Sequence, residues 1–218
     1  MSSLTQKIKN RIEEKDRGWA FTTHDFVDLG NCRQTGSTMR RLTAQGFIRH
    51  VSRGVYDYPR KHSTLGDFPP HTEHTAAAVA RTTGDRIYPT GAAAANRMGL
   101  TTQVPARTAY VTTGKPKKIV FLDSSFTIEL RKAKLPKTLT RDLAWMALQA
   151  LDNIGPDYVG QKMIDQCAKY LKPDDKKDIQ QNLLYIQDPW LADIAKQLVA
   201  WEKPLWIPDP DADPIYSN

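Results

Sequence analysis

Cys32-Arg-Gln-Thr-Gly-Ser-Thr-Met-Arg-Arg-Leu-Thr-Ala-Gln45 and the run that follows it, Gly46-Phe-Ile-Arg-His-Val-Ser-Arg-Gly-Val-Tyr-Asp-Tyr58, decide the fold. The first half reads as a helix over 32–45, with Met39 and Leu42 on its buried side and Gly46 closing it. Gly36 weakens its first turn, because glycine surrenders more backbone freedom than alanine on entering a helix. The second half holds two β-prone runs, 47–51 and 55–58, separated by Ser52-Arg53-Gly54 as a hairpin signal. Pro59 ends the unit.

Toward the N-terminus, Leu4, Ile8 and Ile12 recur at helical spacing, in a helix stopped before Gly18. Trp19-Ala-Phe21 reads as a short strand. Thr22 or Thr23 caps a second helix with Phe26, Val27 and Leu29 facing inward and Gly30 closing it. Helix, short strand, helix, turn, helix and a two-stranded wing, in that order, predict a winged helix-turn-helix over residues 1–60.

Beyond it, residues 61–72 contain Pro69 and Pro70 and no periodicity, as expected of a linker. Residues 73–203 read as a second domain, mixed over 73–137 and helical over 138–203. The mixed part has alanine-rich helices at 73–83 and 91–98 and strands at 86–88, 107–112, 118–122 and 126–131, the last two a hairpin around Asp123-Ser124-Ser125. Helices are expected at 139–152, 157–171, 175–186 and 189–202. A tail rich in Pro and Asp occupies 204–218. The fold class is α+β, with an N-terminal winged helix-turn-helix followed by a mixed α/β domain whose C-terminal part is helical.

The net charge of +7 is unevenly spread. Residues 1–62 carry 12 Lys and Arg against 6 Asp and Glu, residues 63–140 carry 11 against 5, and residues 141–218 reverse to 8 against 13. The first two thirds suit a polyanion and the last third does not. No apolar run is long enough to span a bilayer and the start has no signal-peptide pattern. Cys32 and Cys167 fit neither a disulfide framework nor a zinc spacing. A cytoplasmic protein without membrane contact is expected.

Candidate DNA-reading residues lie on the third helix: Arg33, Gln34, Ser37, Thr38, Arg40 and Arg41. Arg and Gln pair with base edges, and Ser and Thr bond phosphates or bases. Stepping by three and four places Gln34, Ser37, Thr38 and Arg41 on one face opposite Met39 and Leu42. The wing adds Arg49, His50 and Arg53, with Lys61 just beyond it; an arginine at a hairpin tip suits a phosphate or the minor groove. The same charges also fit an outer face on a protein-binding module, or guards on edge strands. A further basic surface is expected from Lys115, Lys117, Lys118, Arg131, Lys132 and Lys134, as extra DNA contacts or as a partner face.

Enzymatic signals fall short. Gly36-Ser37 is similar to the start of a nucleotidyltransferase site, but the paired carboxylates that would hold magnesium are missing downstream. His71-Thr-Glu-His74 has metal-like spacing without a third ligand nearby, so helix capping accounts for it better. Gly91 leads a small-residue helix, where close packing explains a glycine more simply than an anion site. Asp209, Asp211 and Asp213 sit in a proline-broken tail. No nucleophile elbow, P-loop or dinucleotide fingerprint occurs. No catalytic residue, metal or cofactor is expected.

Several motifs in order carry a family resemblance: Ser3-Leu-Thr-Gln-Lys-Ile8, Gly18-Trp-Ala-Phe21, Gly46-Phe-Ile-Arg49, Arg53-Gly-Val-Tyr-Asp-Tyr-Pro-Arg60, Tyr88-Pro-Thr-Gly-Ala92, Leu100-Thr-Thr-Gln-Val-Pro-Ala106 and Ile128-Glu-Leu-Arg131. Over about residues 1–200 the chain resembles the AbiEi-type antitoxin family of bacterial type IV toxin–antitoxin systems, in its DUF-type branch. The resemblance implies that the N-terminal domain binds inverted repeats in the operator of its own operon and represses it. It implies that the C-terminal domain opposes a partner nucleotidyltransferase toxin. A monomer or weak homodimer, cooperative on double-stranded DNA, would follow. The family's operator contacts would fall on the third-helix and wing residues named above, and no toxin-blocking residue transfers. Gly36 and the acidic tail depart from the family pattern. A protein-interaction module, or a stand-alone regulator without a toxin, remains the alternative.

Overall fold

The computed structural model describes residues 3–64, 66–105, 108–123 and 126–202. The tail expected at 204–218, the Ser124-Ser125 hairpin tip and the start of the strand expected at 107–112 lie outside these residues. The fold is mixed α+β. It divides into two units, one of Met1–Thr90 with Pro105–Lys134 and one of Gly91–Val104 with the chain from Leu135 on.

The first unit begins with α1 (Leu4–Glu13), whose Ile8 and Ile12 are buried and whose N-cap Ser3 accepts a hydrogen bond from the Gln6 amide. Strand β1 (Ala20–Thr22) leads into one turn of 3-10 helix, Thr23–Phe26, capped by Thr22 in a reciprocal box with Asp25. The second helix expected up to Gly30 is therefore only one turn. Phe26 is buried as expected but Val27 is exposed, because a 3-10 turn does not carry the α-helical stripe onward. Next come α2 (Cys32–Ala44), β2 (Arg49–Ser52) and β3 (Val55–Asp57), and the three strands form a sheet in the order β1-β3-β2, antiparallel throughout. Gly54 turns the hairpin at φ +73°, a conformation that L side chains rarely adopt. Ile8, Ile12, Phe21, Phe26, Met39, Leu42 and Ile48 fill the core beneath these elements, with Phe21 and Phe26 meeting edge to face.

Residues 61–72 do not serve as a plain linker. β4 (Lys61–His62) and β5 (Gly66–Asp67) pair antiparallel, and His71 caps α3 (Thr72–Arg81). The capping expectation for His71-Thr-Glu-His74 holds, since the His71 ring nitrogen Nδ1 accepts the His74 amide hydrogen. A second sheet follows, built from β6 (Ile87–Pro89), β7 (Ala109–Thr112), β8 (Lys117–Val120) and β9 (Thr127–Lys132) in the order β6-β7-β9-β8. β7 and β9 run parallel and the other pairs antiparallel.

The alanines of α3 explain why no boundary falls near residue 61. Ala78 is buried with Ala20 and Val55 of the first sheet, while Ala76 is buried with Tyr110, Ile119, Ile128 and Leu130 of the second. A helix apolar on both sides, with side chains of one carbon, lets two sheets close over it. Arg81 and His74 fasten it: Arg81 bonds Asp25 Oδ1 at 3.1 Å and the Ala20 carbonyl at 2.8 Å, and His74 Nδ1 donates to the Gly18 carbonyl at 2.7 Å. The β2–β3 hairpin joins the second sheet as well. The Leu122 amide donates to the Val51 carbonyl at 2.9 Å, and Ser52 Oγ donates to the Val120 carbonyl at 2.8 Å.

The second unit is helical: α4 (Gly91–Arg97), α5 (Asp142–Ile154), α6 (Gln161–Ala168), α7 (Pro173–Asn182) and α8 (Pro189–Ala200). Trp145, Leu148 and Leu151 of α5 are fully buried, and Trp145 Nε1 donates to the Leu139 carbonyl at 2.6 Å. Asp178 of α7 caps α5 from outside, its Oδ2 accepting from the Thr140 and Arg141 amides at 2.8 Å each. Burial pushes the Cys167 thiol up to about 12, which keeps it protonated and unreactive. No helix among the described residues is long and apolar enough to cross a membrane.

Candidate nucleic-acid interface

Helix α2 is fixed at both ends before any partner meets it. Asn31 caps it, accepting from the Gln34 amide at 2.9 Å, and Gln34 Oε1 returns the bond to the Asn31 amide at 3.2 Å. Gly46 is left-handed at φ +66° just past its end. Thr35, Thr38, Met39 and Leu42 form the buried face. Arg33, Gln34, Arg40 and Arg41 are exposed and Ser37 is half-buried, so five of the six expected reading residues face outward together.

Thr38 is the exception. It is 1% exposed, and its hydroxyl donates to the Gln34 carbonyl at 3.0 Å. The positions at i, i+3, i+4 and i+7 from Thr35 share one stripe, and Thr38 belongs to it beside Met39. It is part of the buried face of α2, unlike the outward residues expected beside it.

Gly36 sits among the outward residues, and a Cβ built on it would meet nothing within 4 Å. Packing inside the protein does not ask for glycine there. The outward arginines are partly pre-set: Arg40 Nη2 donates to Ser37 Oγ at 3.0 Å, and Arg41 Nη2 donates to Thr5 Oγ1 of α1 at 3.0 Å. The Thr5 contact has no local signal in the sequence.

On the β2–β3 hairpin, Arg49, His50 and Arg53 have different surroundings. Arg49 does not project outward; it holds the buried Asp57 of the neighbouring strand with two bonds and donates a third to the Phe68 carbonyl at 3.0 Å. Burial pushes the Asp57 carboxyl above its ordinary range, against the pull of Arg49. His50 is half-buried and stacked on Tyr56, ring centroids 4.7 Å apart, with Nε2 buried. Both residues lie on β2, and both side chains are engaged within the protein. Arg53 stands exposed at the hairpin tip, and Lys61 is exposed on β4.

The further basic surface is assembled on the second sheet. Lys115, Lys117, Lys118, Arg131, Lys132 and Lys134 are all exposed. Glu129 lies among them, 2.9 Å from Arg131 and 3.9 Å from Lys118. Lys117, Lys118, Arg131 and Lys132 line an open groove of about 450 Å³ together with Glu129, Pro116 and Leu130.

Residues 7–179 match the family described as "Family of unknown function (DUF6088)". The chain belongs to DUF6088. The match begins within α1, takes in the rest of the first unit and runs through α4, α5 and α6 into α7, leaving α8 beyond it. Both basic surfaces are thus within the DUF6088 region. No match to the chain is found among curated proteins. Among the described residues, no three His, Cys, Asp or Glu side chains converge to hold a metal ion.

Proposed function

We propose that this DUF6088 protein is a double-stranded DNA-binding repressor of its own operon, with α2 as the reading helix of a winged helix-turn-helix and Arg53 at the tip of the wing. One observation carries the reading: the outer face of α2 gathers Arg33, Gln34, Ser37, Arg40 and Arg41 around a glycine that packing does not require. A helix-interior glycine costs about 1 kcal/mol against alanine. Such a glycine is kept where another surface must come close to the helix backbone, as the sugar-phosphate edge of a major groove does. The adjacent basic balance of the chain supports a polyanion as that surface.

The second unit carries the antitoxin role that the AbiEi-type resemblance implies, opposing a nucleotidyltransferase toxin in the cytoplasm without catalysis of its own. Residues 141–218 are acidic on balance, and Leu184 is 97% exposed beside the exposed Tyr185. Apolar side chains this bare are suited to a protein partner.

The test is binding of the purified full chain to a duplex carrying the DNA upstream of its own gene, against a scrambled duplex of equal length, across a salt series. The reading expects a preference of at least ~1000-fold for the upstream duplex and a steep loss of affinity with salt. Equal binding to both duplexes, or no salt dependence, refutes it.

A further inference from the structure

Because the wing is hydrogen-bonded to the second sheet, Arg53 and the β8–β9 cations belong to one framework. We propose that the β8–β9 cations form a second contact with the phosphate backbone of the same duplex that α2 reads. The inference rests on the DNA-binding reading above.

The β2–β8 contact brings the two basic surfaces together. Val51 meets Leu122, and the next residue along β2, Ser52, meets Val120. β2 and β8 belong to different sheets, and these two hydrogen bonds tie the residues just before Arg53 to the C-terminal end of β8 and the turn beyond it. Arg53 is thus the neighbour of a residue bonded to Val120, on the strand that carries Lys117 and Lys118. At roughly 3.3 Å per residue, Lys118 is about 7 Å along the strand from Val120. That is about two phosphate steps of one DNA strand, each close to 3.4 Å along the axis.

The β8–β9 register concentrates charge at the end of the ladder beyond that point. Lys117 is paired with Leu130 and Lys118 with Glu129, and Lys117, Lys118, Arg131 and Lys132 line one groove together with Glu129. Glu129 is shared between Lys118 and Arg131, one carboxylate against two cations. Lysines on a rigid sheet act as point charges that hold a duplex in place and carry no base information. Charge complementarity selects a polyanionic rod, and continuity with the wing selects the duplex already engaged by α2.

The experiment uses the full chain with Lys115→Gln, Lys117→Gln, Lys118→Gln and Lys132→Gln combined, and each change alone, with thermal melting to establish folding. Affinity is measured for the upstream and scrambled duplexes across a salt series. The combined variant is expected to lose at least ~10-fold in affinity for both duplexes equally, and its log–log salt slope to become shallower by about 0.9 per phosphate contact removed. The single variants should each show a share of that change. Wild-type affinity and slope in the combined variant and in every single one overturn the second contact, while leaving α2 as the reader if the wild type still selects its upstream duplex. A loss confined to the upstream duplex overturns it too, because it would mean base reading. A wild type that neither selects nor responds to salt refutes the DNA-binding reading and the second contact together.

Discussion

Arg49 grips Asp57 across the β2–β3 hairpin, with Nη2 2.6 Å from Oδ2 and Nε 3.1 Å from Oδ1. The carboxylate is buried and the arginine side chain is 30% exposed, so the pair closes one end of the hairpin against solvent. Desolvation already raises the Asp57 pKa with Arg49 in place. Without the guanidinium, that cost is unopposed.

Arg49→Ala is therefore expected to destabilise the protein by about 3 kcal/mol, the lower end for breaking a buried pair, because the arginine is part-exposed. Urea unfolding measures it. Below the unfolding transition, the ratio of affinities for upstream and scrambled duplexes should match the wild type. Full stability with lost selectivity would make Arg49 a DNA contact after all.

Gly36→Ala separates stability from binding. The site is open, so the added methyl has room and should stabilise the helix by about 1 kcal/mol. Under the proposed DNA-binding reading, the same methyl stands in the path of the duplex. Thermal melting should shift upward while duplex affinity falls. A more stable variant with unchanged affinity would show that nothing approaches α2 at this point.

Arg33→Ala and Thr38→Val form a matched pair on one helix. Arg33 is exposed in the first turn, and its loss should cost roughly 1–3 kcal/mol of binding to the upstream duplex if it reads a base. Thr38 is buried with its hydroxyl bonded within the helix, so the isosteric valine should leave affinity within about two-fold. Anisotropy titration distinguishes them, and equal effects from both would refute the assignment of the outer face.

The residues that sequence reading misplaced have one cause in common. Periodicity gives the face of an element but not what lies on its far side. Met39 and Leu42 marked the inward face of α2, yet Thr38 joined them because a docked helix buries a stripe wider than its two largest side chains. Arg49 and His50 read as wing charges, since the residues that engage them, Asp57 and Tyr56, come from another strand; the link from Ser52 to Val120 spans 68 positions. The boundary expected at 61–72 failed because Ala76 and Ala78 face opposite sheets, and alanine announces neither face. Helices, strands and turns with strong local signals, such as the Gly54 hairpin and the Asn31 cap, were legible from the chain alone.

His71 makes stability depend on pH. Burial and, next, the neighbouring His74 lower its pKa below the ordinary value of about 6.5. The unfolded chain then binds the proton more readily than the folded one. Its contribution is whole above that ordinary value and is lost as pH falls through it toward the depressed folded value. His71→Asn retains a side-chain cap for α3 and removes the titration. Its unfolding free energy should match the wild type at pH 8 and exceed it at pH 5, and parallel curves for the two proteins would refute the assignment.

Gly91 tests whether the start of α4 is a packing contact or an anion site. A Cβ on Gly91 would stand 2.4 Å from the Asn153 Cβ of α5, far inside van der Waals contact. Gly91→Ala must push α4 away from α5, at a cost of roughly 1–3 kcal/mol. Asn153→Gly clears the space but weakens α5 by about 0.3–0.5 kcal/mol. If the clash is the reason for the glycine, the double variant should be no less stable than Asn153→Gly alone, because the new methyl then occupies vacated volume. Additive losses in the double variant would mean that Gly91 is needed for its backbone or for a ligand, and close helix packing would no longer explain it.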